Sequence, residues 1–249
     1  MKNAKLNWVR LPLDGIENCR ELGGYSTKEG EQVKWHTFLR SSDMTDATEK
    51  DIKFLKEYGV STVIDLRGED EVAARKNPFV ESDFCDYHNI PLFTQPLTDV
   101  TIPKDFHMGE FYVDLLEKTT TLNKIFEVID QAKEGAIVFH CMAGKDRTGV
   151  LAMLLLGIVG VEKKDVVSNY EVTYSNLESF HKHDILPDKI PIEFLFSKRE
   201  YIAYAYDYVI RKYGDFDNYM RVKNVDQEVI DRVRERLLLV DGDREEVMV

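Results

Sequence analysis

Apolar and polar positions recur with two different periods along this chain, and each change of period marks a change from helix to strand. Over 45–58 (TDATEKDIKFLKEY), Ile52, Leu55 and Tyr58 fall on one helical face, with Asp43 or Thr45 available as cap and Gly59 as terminator. The following run VSTVIDLR (60–67) is rich in β-branched apolar residues, the pattern of a strand buried on both faces. Helix, glycine and buried strand in succession predict α/β architecture. A short strand is expected near Tyr87–Ile90, then a proline-marked loop from Pro91 to Pro103, then a long helical stretch over 109–133. AIVFH (136–140) reads as another buried strand. It runs directly into CMAGKDRTG and then into 150–159, a helix with no polar face that must be buried on all sides.

Further along, 162–175 is amphipathic, 181–191 is broken by Pro187 and Pro191, and 198–213 is again helical. Tyr201, Tyr204 and Tyr208 make a stripe on that helix, which we read as core packing or a lid rather than a binding box. In 225–239, Val229, Ile230, Val233 and Leu237 share one side, so this helix should dock, while the acidic tail from Asp241 should fray. No repeat or linker interrupts the pattern. The chain therefore reads as a single α/β domain, 1–249, with a central four- or five-stranded, mainly parallel sheet flanked by helices on both faces.

Charge narrows the partners. Acidic side chains outnumber basic ones 45 to 33, and the net charge of −12 argues against a nucleic-acid partner. The longest apolar run, Val150 to Val161, is well short of the roughly twenty residues a spanning helix needs, so no stable membrane insertion is expected. The N-terminal MKNAKLNWVR has no apolar core of signal-peptide length, and a cytoplasmic location is expected. Three cysteines without metal-ligand spacing read as free thiols, with no metal and no cofactor. No pattern assigns an oligomeric state.

The chemistry concentrates in His140-Cys141-Met142-Ala143-Gly144-Lys145-Asp146-Arg147-Thr148-Gly149, where a buried strand ends and a helix begins. A helix start leaves backbone N–H groups unpaired and aims the positive end of its dipole outward, which makes the position an anion site. The amides of Met142, Ala143, Gly144, Lys145, Asp146 and Arg147 can surround one tetrahedral dianion, and Gly144 permits the positive backbone angles such a curl needs. A thiol at the same pole is stabilised as the nucleophilic thiolate, which singles out Cys141. Arg147 offers a planar fork for two phosphate oxygens. Thr148 can donate to the sulfur when it leaves a phosphocysteine, and His140 can bond the backbone around the cysteine. The loop is not a nucleotide-binding P-loop, because Asp146 stands where that motif needs Ser or Thr. The plain alternative is a buried, inert cysteine beside a surface turn.

These residues carry a resemblance. HCMAGKDRTG resembles the signature loop of cysteine-dependent protein tyrosine phosphatases, and its GKDRTG ending is similar to a bacterial and fungal tyrosine/dual-specificity branch. Asn18-Cys19-Arg20-Glu21-Leu22-Gly23-Gly24-Tyr25, LRSSDM (39–44), EYGVSTVIDLRGEDE (57–71) and KYGDFDNYM (212–220) resemble further elements of that branch, so the likeness covers most of the chain. Cys19 departs from it, standing where an aromatic residue is usual. The resemblance implies metal-independent phosphomonoester hydrolysis: Cys141 attacks phosphorus, Arg147 and the amides bind the equatorial oxygens, and water hydrolyses the phosphocysteine. Phosphotyrosine protein is the leading substrate and phosphoinositide the alternative, with Lys145 the one local cation that could favour the latter. The resemblance also implies a helical lid within 170–213.

The general acid stays open between Asp146, which is favoured, and Asp99 or Asp105 on the upstream loop. Asp65 and Arg67 end a strand pointing to the same sheet edge as Cys141, where they either orient the loop or contact substrate, or form a structural ion pair. Asn18 and Arg20 are expected to brace the turn around Gly23-Gly24, while Arg40 and Ser41 have no assigned role. Cys85 reads as core; Cys19 reads as a buried thiol, with a disulfide to oxidised Cys141 as the alternative. Two rival functions remain: a catalytically silent phosphate-binding module, and sulfur transfer by a rhodanese-like loop.

Overall fold

Alternation along the central strands divides the molecule into two layers on either side of one sheet. The computed structural model describes residues 2–93, 106–178 and 192–239. Its strands are β1 (Arg20–Glu21), β2 (Phe38–Ser41), β3 (Val60–Asp65), β4 (Asp86–Asn89) and β5 (Ala136–His140). They lie in the order β1-β2-β5-β3-β4, with β1 antiparallel to β2 and every other pair parallel. On β5, Ile137 and Phe139 face one core while Ala136 and Val138 face the other; Phe38 and Ile64 join the first, Leu39 and Val63 the second. Each fully buried side chain of this size stabilises the fold by about 1.5–3 kcal/mol.

The second core is covered by helix α1 (Glu49–Tyr58) and the N-terminal segment. The first holds most of the helices, arranged around α5 (Asp146–Ile158), which is buried on nearly every side as its uniformly apolar sequence requires. Around it lie α3 (Met108–Lys118), α4 (Leu122–Gln131), α6 (Lys163–Glu171), α8 (Arg199–Tyr213), α9 (Phe216–Val222) and α10 (Gln227–Leu237). Two short helices are α2 (Glu69–Ala74), after β3, and α7 (Thr173–Asn176), after α6. Among the described residues no helix is long and apolar enough to cross a membrane.

Several boundaries differ from expectation. Helix α1 starts at Glu49 under a reciprocal cap in which Thr48 and Asp51 exchange hydrogen bonds. Asp43 is unavailable as a cap because its carboxylate binds Arg67 and Arg75. Phe54, rather than half-buried Ile52, completes the buried face with Leu55 and Tyr58. The single helix expected over 109–133 is two, parted at Thr119-Thr120-Thr121, where three β-branched residues disfavour helix and Thr121 turns its hydroxyl to the Pro91 carbonyl. On α8 the buried face is Tyr201, Ile202, Ala205, Tyr206 and Val209, so the tyrosine stripe is not a core stripe. Tyr204 is exposed and its ring packs against His107. The expected breaks at Pro187 and Pro191 and the tail from Asp241 lie outside the described residues.

Candidate active site

Parallel pairing sets Ser41, Asp65 and His140 side by side, so the segments that follow β2, β3 and β5 converge at the carboxyl edge of the sheet. The loop from Cys141 to Lys145 crosses that edge into α5, and its carbonyls are tied back into the protein one after another. The His140 carbonyl accepts from Leu66 N–H at 2.8 Å, that of Cys141 lies 3.1 Å from His140 Nδ1, and that of Met142 accepts from Asp43 N–H at 2.8 Å. Asn18 Nδ2 donates to the carbonyls of Ala143 and Gly144 at 3.0 and 3.1 Å, and Arg40 Nη2 donates to that of Gly144 at 2.8 Å. The Lys145 carbonyl accepts from Gly149 N–H. Pinning the carbonyls behind the loop leaves the N–H groups on its other side. Among the described residues none of the N–H groups of Met142, Ala143, Gly144 and Lys145 has an acceptor. Such a row of unpaired donors at a helix start is an anion-binding concavity. Gly144 is required there: its φ is +64°, and a Cβ would lie 2.3 Å from the Ser41 carbonyl oxygen.

Arg147 leaves the first turn of α5 and meets Glu71 of α2 through Nη1 and Nη2, at 2.5 and 2.9 Å. Glu71 in turn accepts from Gly68 N–H at 2.8 Å, which locks the carboxylate. Burial opposes the Arg147 charge, but the Glu71 carboxylate outweighs it and raises the guanidinium above its ordinary value. Arg147 is thus a permanently charged fork held in a fixed plane.

Asp146 is gripped at one oxygen. Its Oδ1 accepts from the Tyr112 hydroxyl at 2.6 Å and from Lys145 Nζ at 2.8 Å. Burial, and then the Asp146 charge, push the Tyr112 phenol well above its ordinary value, so it stays protonated and donates; its oxygen also lies 2.5 Å from that of Tyr170. Lys145 is turned inward and 1 % exposed, with a second bond to the Phe196 carbonyl at 3.2 Å. Its ammonium is paired within the protein. Thr148 Oγ1 is buried without a hydrogen-bond partner among the described residues.

Beneath the loop, Asp65 and Arg67 form a fully buried ion pair with contacts of 2.7 to 3.1 Å. Arg67 reaches on to Asp43 at 3.0 Å, and Asp65 also accepts from the Tyr87 hydroxyl at 2.8 Å. Burial opposes the Asp65 charge, yet His140 and Arg67 hold its carboxyl well below the usual range. His140 Nε2 lies 2.8 Å from Asn77 Nδ2, so the imidazole is fixed at both nitrogens. Neither Asp65 nor Arg67 is exposed, so the two form a buried ion pair. Cys19 belongs to the core on the opposite face of the sheet from Cys141, and burial pushes its thiol up to about 12. Cys85 is also buried, and its thiol is raised by that burial.

Asn18 and Arg20 do not brace the Gly23-Gly24 turn. Asn18 holds the loop carbonyls, and Arg20 reaches the Asn169 carbonyl at 2.7 Å and Thr173 Oγ1 at 2.9 Å; Trp35 packs against the glycines instead. Glu71, Tyr112, Asn77 and the loop contact of Arg40 escaped the sequence reading. Only Glu71 carried a signal, as an acid in the helical turn that follows a strand ending at the site edge. Asp99 and Asp105 lie outside the described residues. Among the described residues no group of His, Cys, Asp and Glu is arranged to hold a metal ion.

A family model described as the tyrosine phosphatase family matches residues 11–239, nearly the whole chain. The chain belongs to the tyrosine phosphatase family. A tyrosine-protein phosphatase of Nostoc commune is 36 % identical over 147 residues, which cover 57 % of this chain and 49 % of that protein. The chain thus spans about half the length of that relative. A putative tyrosine-protein phosphatase of Cupriavidus necator is 26 % identical over 85 % of this chain and 82 % of its own. The triple specificity protein phosphatase PtpB of Mycobacterium tuberculosis is 22 % identical over 91 % of this chain and 98 % of its own. Membership of the family agrees with an anion cradle that combines a cysteine, a fixed arginine and unpaired amides.

Proposed function

We propose that this protein hydrolyses phosphomonoesters, foremost phosphotyrosine in proteins, through a phosphocysteine on Cys141. The observation that carries the reading is the loop itself: its carbonyls are tied behind it, its amides are unpaired in front, and Glu71 fixes Arg147 beside them. The Cys141 thiolate attacks phosphorus in line, the P–O bond to the leaving group breaks, and the leaving oxygen takes a proton that Asp146 carries on Oδ2, the oxygen other than the one Tyr112 and Lys145 hold. Water then gives a proton to the Asp146 carboxylate as it attacks the phosphocysteine, the S–P bond breaks to return the thiolate, and inorganic phosphate leaves. The amides of 142–147 and the Arg147 fork bind the equatorial oxygens throughout. Thr148, whose hydroxyl has no described partner, donates to the departing sulfur.

The substrate class rests on two supports. One relative, similar over 85 % of this chain, is named a putative tyrosine-protein phosphatase, and Lys145 has its ammonium occupied by Asp146 and the Phe196 carbonyl. An occupied lysine supplies little for a second phosphate, which favours phosphotyrosine over a phosphoinositide. The segment within 170–213 serves as lid in this reading, since Phe194 and Phe196 both touch Lys145. Free thiols at Cys19, Cys85 and Cys141 suit the reducing cytoplasm. A silent phosphate-binding module would need no cysteine in the cradle.

The test is hydrolysis of aryl phosphates and phosphotyrosine peptide in chelator, with vanadate as inhibitor. Activity that survives chelator and is blocked by vanadate is expected; activity that requires an added metal refutes the mechanism. Lys145→Ala should leave the ratio of kcat/KM between a bis-phosphorylated inositide and a phosphotyrosine peptide unchanged, whereas a selective loss on the inositide would restore the lipid reading.

A further inference from the structure

Two arginines lie behind the loop with no carboxylate partner among the described residues. Arg20 and Arg40 are 2 % and 1 % exposed. Arg40 gives Nη2 to the Gly144 carbonyl and Nη1 to Asn169 Oδ1 at 2.7 Å; Arg20 gives its nitrogens to Asn18, to the Asn169 carbonyl and to Thr173. All of these acceptors are neutral. Nε of each guanidinium has no partner at all among the described residues. Burial lowers Arg20 well below its ordinary value, with repulsion from Arg40 adding to it. It lowers Arg40 to about 10, opposed chiefly by attraction to Cys141. The phenols of Tyr170, Tyr25 and Tyr112 add to that attraction.

Buried cations are ordinarily paired, and an unpaired couple is costly to retain. Here Arg147 already has Glu71, so among the described residues Arg20 and Arg40 carry positive charge at the loop that no carboxylate contacts. The anions available to balance it are those the site handles. We propose that Arg20 and Arg40 are positioning residues that act as an uncompensated counter-charge behind the loop, stabilising the Cys141 thiolate and the bound phosphoryl anion through the loop rather than by contact. The inference rests on the phosphatase reading of Cys141 and extends it to a second layer of the site. Its physical basis is preorganisation: charge fixed in a buried layer needs no rearrangement when the anion forms.

Asn169→Asp separates charge from shape. Asp has nearly the volume of Asn, can accept the same bond from Arg40 Nη1, and can accept from the Tyr25 hydroxyl, which lies 3.3 Å from Asn169 Nδ2. Loop geometry is preserved while the arginines gain the carboxylate they lack. The variant is expected to keep or raise Tm, yet at pH 6 its Cys141 should react with iodoacetamide at least fivefold more slowly. Vanadate should inhibit it at least fivefold more weakly. Arg40→Met should show the same two losses and Arg40→Lys should recover most of the alkylation rate, which keeps the test decisive if one variant folds poorly. Folded Asn169→Asp and Arg40→Met proteins with wild-type alkylation and vanadate inhibition would overturn the counter-charge role. If wild-type Cys141 itself resists iodoacetamide and phosphate gives it no protection, the phosphatase reading fails first, and the proposal with it.

Discussion

Glu21 couples the stability of the N-terminal edge of the sheet to pH in a way that can be worked out from its surroundings. Its carboxyl is 4 % exposed and accepts from the Tyr58 hydroxyl at 2.5 Å, His36 N–H at 2.8 Å and Gly23 N–H at 3.4 Å. Burial outweighs these three donors and raises the group from its ordinary value of 4.5 to about 7. The folded state therefore holds the proton more tightly than the unfolded chain. The stabilisation is complete below about pH 4.5 and is lost as pH rises through 7. At 1.36 kcal/mol per pH unit the loss amounts to about 3 kcal/mol by pH 8. Glu21→Gln removes the ionisation but retains acceptors for Tyr58 and His36. Its amide faces the long Gly23 contact and costs about 1 kcal/mol at most. Urea melts of both proteins at pH 5, 6, 7 and 8 should show the wild type losing stability relative to the variant by about 2–3 kcal/mol over that span. Taking the difference cancels the other titrating groups, including His36, whose ring stacks on Tyr58. Parallel stability profiles would refute the claim that Glu21 is protonated in the folded state near neutrality.

Glu71→Gln should lower kcat/KM on aryl phosphates by about 10- to 100-fold, because a loosened Arg147 no longer presents its fork in one plane; unchanged kinetics would show that the pair is structural only. Asp146→Asn should cost about 100-fold or more on phenyl phosphate and much less on p-nitrophenyl phosphate, whose leaving group needs little protonation. The same dependence in Asp99→Asn, with none in Asp146→Asn, would move the acid to the upstream loop.

Local patterns were legible where a segment is governed by its own residues. AIVFH, the all-apolar helix after it and the strand–loop–helix context of Cys141 follow from periodicity and composition within about twenty residues, and the parallel sheet follows from two strands too apolar to face water. What escaped depends on partners far apart in sequence. The Gly144 carbonyl is held by Arg40 from 104 residues away and by Asn18 from 126, and no local pattern marks either residue as an amide-orienting donor. Glu71 was hidden among Glu69 and Asp70, three acids that look alike until one is seen to face Arg147. The Thr48 cap was missed for a related reason, since Asp43 is a better cap by type but is already bound to two arginines.

The central claim is that Cys141 is the nucleophile in a cradle that binds the phosphoryl group independently of it. Cys141→Ser measures both halves at once, through turnover of an aryl phosphate and binding of vanadate or a phosphotyrosine peptide by calorimetry. A serine hydroxyl is a far weaker nucleophile than a cysteine sulfur, while the amides and the Glu71-held Arg147 are untouched. The predicted result is no detectable turnover with oxyanion affinity within a few fold of wild type. Near-wild-type turnover in Cys141→Ser would contradict it.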